Sequence, residues 1–119
     1  FFSKRKADAG PPSIASIWHV HDEGLLERHR AHCERVGEVP VKPPGQNPGN
    51  QQRRFHATAL HCRFRGQPCS QAGCSTCSII RHGFRLDCAH NGYYGQGIYS
   101  TSTSSKAYQY GNQRAMLVV

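Results

Sequence analysis

The sequence has no apolar run near the roughly 20 residues that a bilayer-spanning helix requires. It has no secretory signal pattern, because Phe1-Phe2 gives way at once to Lys4-Arg5-Lys6 with no apolar stretch behind. It has no internal repeat, one methionine and one tryptophan. Acidic residues are scarce, 7 against 15 Lys+Arg, and none follows Asp87. Residues 88–119, the last 32, therefore offer no carboxylate for acid–base chemistry. Hydrophobic residues make up 37% and the mean hydropathy is -0.64, so any core is modest. A chain of 119 residues suits one small domain.

What is present is positive charge and thiol. A formal charge of +8 attracts polyanions, whether nucleic acid, an acidic surface or a pyrophosphate. Lys4-Arg5-Lys6 and Arg53-Arg54 are the tight basic clusters; the rest is scattered, as on a plain solvated surface. Lys4-Arg5-Lys6 could also belong to a nuclear import signal. Nothing in the sequence places its six cysteines outside the cell, so reduced thiols or metal ligands are better readings than disulfides. The expected location is intracellular, nuclear or cytoplasmic, without membrane association.

Charge and Gly10-Pro11-Pro12 predict a disordered basic segment over 1–12. Ile14, Ile17, Trp18 and Val20 predict a short strand. Asp22 is a candidate N-cap for an amphipathic helix whose face carries Leu26, His29, Cys33 and Val36, ending near Gly37. The Pro-rich stretch 39–50 predicts a loop. Further along, a strand and its exit turn are expected over 53–60, a Cys-rich insert over 61–78 and a helical turn over 79–86. A small helix is expected over 102–110 and a buried strand over 115–119. Short strands mixed with short helices give an α+β class. Phe1 opens the chain where a methionine would be usual, and Met116 to Val119 is an apolar end. Both predict a fragment cut inside or just after a strand.

Cys62, Cys69, Cys74 and Cys77 form C-x6-C-x4-C-x2-C. The C-x2-C half has zinc-knuckle spacing, where two thiolates on one tight turn take two corners of a tetrahedron, with Cys88 and His90 as alternative partners. A structural zinc would staple a loop with little core of its own. Reduced cysteines packed as small apolar groups remain the plain alternative.

Three further blocks carry the strongest signal: Arg54-Phe55-His56-Ala57-Thr58, then Gly92-Tyr93-Tyr94-Gly95-Gln96-Gly97-Ile98-Tyr99, then Ser104-Ser105-Lys106-Ala107-Tyr108-Gln109-Tyr110. Together, in this order, they resemble the signature of the poly(ADP-ribose) polymerase-like ADP-ribosyltransferases. That family carries a His strand, a later Gly-x-Gly-Ile/Leu-Tyr strand and a Ser-Lys-Ser-x-x-Tyr helix. The resemblance covers residues 13–119 without a gap in any block, and the Cys-rich insert is similar to fungal and plant versions. It implies an incomplete ADP-ribosyltransferase fold of short antiparallel strands and small helices.

The resemblance also implies an enzyme that cleaves the nicotinamide–ribose bond of NAD and transfers ADP-ribose to an acceptor, here expected to be a protein. His56 would bond the adenosine ribose, the backbone of Ala57 the nicotinamide carboxamide, and Thr58 would sit at the ribose edge. Tyr99 and Tyr110 would sandwich the nicotinamide ring, and His56 and Tyr99 would be the catalytic members. Ala57 stands where the family has glycine. Ala107 stands where it has the serine that orients the carboxamide, leaving Ser105 or Ser104 as a substitute. The family's late glutamate has no counterpart here. Two other readings stay open: a zinc-stabilised nucleic-acid-binding module using the basic charge, and an inert NAD-fold interaction domain.

Overall fold

The structure, a computed structural model, describes residues 12–41 and 45–119. The element order is α1 (Glu23–Val36), β1 (Phe55–His56), α2 (Ser75–His82), a 3-10 turn (Leu86–Cys88), β2 (His90–Gly92), β3 (Gly95–Gly97), α3 (Ser104–Ala107) and β4 (Leu117–Val118). This is a small α+β chain with short antiparallel strands and few helices. None of its helices is long and apolar enough to cross a membrane among the described residues. The basic segment predicted over 1–12 lies, apart from Pro12, outside those residues.

α1 begins as its sequence dictates. Asp22 is extended at φ -142, and its carboxylate accepts the Leu25 N–H at 2.9 Å, satisfying one of the open donors of the first turn. Gly37, at φ 71, closes the helix by donating to the Cys33 carbonyl at 2.9 Å. The predicted apolar face is covered only in part. Cys33 is buried and Leu26 half-buried, while His29 and Val36 are exposed. The cover comes from the 47–50 turn, where Gly49 lies against Cys33. A Cβ on Gly49 would stand 2.8 Å from the Cys33 Cβ, and its φ of +98 also favours glycine.

Two sequence expectations fail for want of a partner. Residues 14–20 form no strand, and Ile14 and Ile17 are exposed. A strand must pair its backbone N–H and C=O groups, and no described segment lies alongside. Trp18 instead meets Phe64 edge-on at 5.7 Å. At the other end, β4 does form, but Val118 is exposed, because β4 lies at an edge. The helical turn expected over 79–86 begins earlier, as α2, and Gly83 at φ +75 stops it.

β1 is the backbone hub. On one side it pairs antiparallel with β4, Phe55 opposite Val118 and His56 opposite Leu117. On the other, Phe55 exchanges both backbone bonds with Thr101, at 2.7 and 3.0 Å. The buried cluster lies just beyond the β1 exit: Leu60, Cys74 and Cys77, with Phe64, Cys69, Cys62 and Ala115 packed against them. Most of this cluster is thiol, so hydrocarbon burial alone is a small source of stability here.

Candidate functional site

The four cysteines singled out by spacing converge. The sulfurs of Cys62, Cys69, Cys74 and Cys77 all lie within 4.8 Å of one another. Cys62 and Cys77 are 3.5 Å apart. Thiolates at about 2.3 Å from a tetrahedral zinc would be about 3.8 Å from each other, so the donor set fits such an ion with small adjustment. Cys88 and His90 lie outside the cluster.

The thiols differ in acidity. Burial pushes the Cys62 thiol up, and it pushes Cys77 up to about 12. Burial acts in the same direction on Cys74, but it is outweighed by hydrogen bonds to the sulfur, first from the His61 N–H at 3.3 Å, and the thiol falls to about 6. Backbone N–H groups aimed at a sulfur stabilise thiolate, the form a metal binds.

The cluster is bonded to the β1 exit. Thr76, buried between two of the cysteines in sequence, donates its hydroxyl to the carbonyls of Ala59 at 3.0 Å and Thr58 at 3.3 Å. Its N–H donates to Ala59 O at 2.9 Å. From the other side the Asn112 amide donates to Leu60 O at 2.6 Å and accepts Leu60 N–H at 3.1 Å. Gly111 lies on the Thr58 backbone, where a Cβ would come within 2.5 Å of the Thr58 carbonyl carbon. Sequence reading missed Thr76 and Asn112. The one available signal was the place of Thr76 between Cys74 and Cys77.

Beside this clamp opens a cleft of about 1310 Å³. His56, Ala57, Thr58, Tyr99 and Tyr110 all line it. Ser105 does not; it is exposed on α3, and buried Ala107 takes the cleft side. His56 donates Nδ1–H to the Tyr99 carbonyl at 2.7 Å, and its ring meets Phe84 edge-on at 5.0 Å. Ala57 is not at positive φ, so alanine is unstrained where the resembled family has glycine. Among the described residues, neither backbone polar group of Ala57 has a protein partner.

Tyr99 folds back over its own hairpin. Its hydroxyl donates to Gly95 O at 2.6 Å and accepts Tyr94 N–H at 3.1 Å. A Cβ on Gly92 would stand 2.4 Å from the Tyr99 ring, so one side of the ring is in contact with backbone that has no side chain. Among the described residues no Asp or Glu lines the cleft, whereas Arg81, Arg85 and Lys106 do. A low-dielectric wall carrying one sign of charge favours anionic ligands.

No family model, curated protein or solved structure matches the chain.

Proposed function

We propose that this chain is an NAD-dependent ADP-ribosyltransferase domain whose four-cysteine site holds a structural zinc. The observation that carries the reading is convergence: residues from three separate motif blocks, His56–Thr58, Tyr99 and Tyr110, line one cleft. With Nδ1–H given to a carbonyl, the His56 imidazole keeps Nε2 as an acceptor for a ribose hydroxyl. The unpaired N–H and C=O of Ala57 match the acceptor and donor of a carboxamide. Tyr99 and Tyr110 supply aromatic surface for the nicotinamide ring, and Thr58 sits next to the ribose position. Ser105 has no role in this arrangement.

In the reaction the glycosidic bond between nicotinamide and ribose breaks. Nicotinamide leaves with the bonding pair, and a nucleophilic group of the acceptor, a protein in this reading, bonds to the ribose carbon and gives up its proton to solvent water. The residues of the cleft hold the two ends of NAD and orient the bond. Cys62, Cys69, Cys74 and Cys77 would supply all four ligands of a zinc ion, so its contribution would be to the fold. The lack of any Asp or Glu among the described residues of the lining favours a second reading, a domain that binds NAD without turning it over.

Calorimetry with NAD, alongside assay of nicotinamide release, tests the proposal. The zinc-loaded protein is expected to bind NAD and to release nicotinamide slowly. The rate is expected to be about 100- to 1,000-fold below that of a site with an added electrostatic stabiliser. Tyr110→Ala should weaken binding about tenfold, the equivalent of roughly 1.4 kcal/mol. A folded, zinc-loaded protein that binds neither NAD nor nicotinamide would overturn it.

A further inference from the structure

The cleft does not stop at its tyrosines. A groove of about 480 Å³ lies between the start of α1 and the end of α2, and Arg81, His82 and Arg85 line both it and the cleft. Arg28, on α1, adds a fourth basic side chain. Asp22 is the one carboxylate lining the groove among the described residues, and it is engaged as the cap of α1. Arg81 is held on the shared wall by Ser70 Oγ at 2.9 Å and Cys69 O at 3.4 Å. Arg85 is paired with Asp87, and Asp22 keeps its negative charge while capping α1, so the excess positive charge of the groove is carried by Arg28 and Arg81 against that one carboxylate.

Elsewhere on the cleft lining, the turn between β2 and β3 presents Tyr93 and Tyr94, 75% and 84% exposed. Their rings meet at 5.6 Å and 71°, so each braces the other and retains open surface. Exposed aromatic rings beside a basic track are the pattern by which unpaired bases are stacked while their phosphates are neutralised. In a duplex the bases are already stacked on each other, so the tyrosines would add little there. The sequence hides this pattern, because the tyrosines lie in nearly uncharged sequence and the arginines come from α1 and α2.

We propose that this joined surface binds single-stranded nucleic acid, with phosphates along Arg28, Arg81, His82 and Arg85 and bases on Tyr93 and Tyr94. The inference does not depend on the NAD reading, since neither Arg28 nor Tyr94 belongs to the nicotinamide end of the cleft as assigned above.

The test is fluorescence anisotropy of the metal-loaded full chain with a labelled oligothymidylate of about 12 nucleotides. Two to three neutralised phosphates predict a log–log salt slope of roughly -1.4 to -2 for a single strand. Arg28→Gln should weaken binding several-fold and flatten the slope by about 0.7. Tyr94→Ser, at an exposed turn position, should weaken binding about tenfold, with the slope unchanged. Calorimetry should find NAD affinity unaltered in Arg28→Gln. Circular dichroism and the visible spectrum of the cobalt-loaded variants check the fold. Absence of binding at about 50 mM salt would overturn the proposal. So would equal binding of duplex and of a sulfated polysaccharide together with an unchanged Tyr94→Ser. Failure here with NAD binding intact would leave the proposed function standing; loss of NAD binding with oligothymidylate binding intact would do the reverse.

Discussion

His56 Nδ1 and the carbonyl oxygen of Tyr99 are 2.7 Å apart, joining residues 43 positions distant in sequence. A carbonyl only accepts, so Nδ1 carries the proton and Nε2 presents a lone pair. The bond ties β1 to the segment following β3, and it sets the tautomer that the proposed ribose contact needs. His56→Ala should therefore weaken NAD binding by about tenfold or more, one charge-neutral hydrogen bond plus lost order at Tyr99. It should change the affinity for free nicotinamide less, because nicotinamide has no ribose. Parallel calorimetric titrations with the two ligands check this. Equal losses for both would remove His56 from the ribose end.

Gly92 and Gly95 make a matched pair. A methyl on Gly92 would fall 2.4 Å from the Tyr99 ring, and the ring would have to move. A methyl on Gly95 meets nothing within 4 Å but must accept φ +96. Gly92→Ala is expected to cost ligand affinity more than tenfold. Gly95→Ala should cost about 1 kcal/mol of stability, with affinity nearly kept. Thermal melts and NAD titrations of both variants separate strain from displacement.

The Thr76 hydroxyl links the thiol cluster to Thr58 and Ala59. Thr76→Val keeps the shape, takes the hydroxyl donor from Thr58 O and leaves Ala59 O with the Thr76 N–H alone. The expected loss is about 1–3 kcal/mol of stability. The visible spectrum of the cobalt-loaded protein should be unchanged, because no sulfur is altered. Denaturant titration of the metal-loaded variant measures the loss. An unchanged midpoint would show that the link contributes nothing.

Metal removal should have a larger effect than any of these substitutions. Cys74 and Cys77 are core residues as well as candidate metal ligands, and little hydrocarbon is buried around them. A structural zinc typically binds with an apparent free energy of about 10–16 kcal/mol at neutral pH, much of which appears as folding free energy. Chelation should therefore unfold the 58–82 region, and Cys74→Ser should not retain stoichiometric zinc. Burial holds Cys62 and Cys77 protonated in the absence of metal, so binding must release protons and affinity should fall as pH falls. Elemental analysis and melting curves with and without chelator check both points. A protein without zinc that melts unchanged under chelation would return the cluster to packed thiols.

Much of the local structure was legible from residue chemistry. Asp22 and Gly37 bounded α1, the C-x6-C-x4-C-x2-C spacing identified sulfurs that do converge, and in the described part of the Pro-rich stretch, 39–41 and 45–50, there is neither helix nor central strand, while 42–44 lie outside the described residues. What failed depended on partners. Ile14 to Val20 has strand composition but no neighbouring strand, and Val118 lies at an edge. Ser105 and Ala107 are two positions apart on one turn, and which of them faces the cleft follows from how α3 sits on β1. The acid-free lining, Thr76 at the clamp and the basic groove shared by two helices are products of tertiary placement. No single segment carries them.

The most direct measurement is a nuclear magnetic resonance titration of the isotope-labelled, zinc-loaded chain with NAD. The account predicts saturable amide shifts concentrated at Ala57, Thr58, Tyr99 and Tyr110, with the backbone of Ala57 moving most, and their loss in Tyr110→Ala. A well-dispersed spectrum that NAD leaves unchanged, or shifts confined to residues away from the cleft, would contradict it.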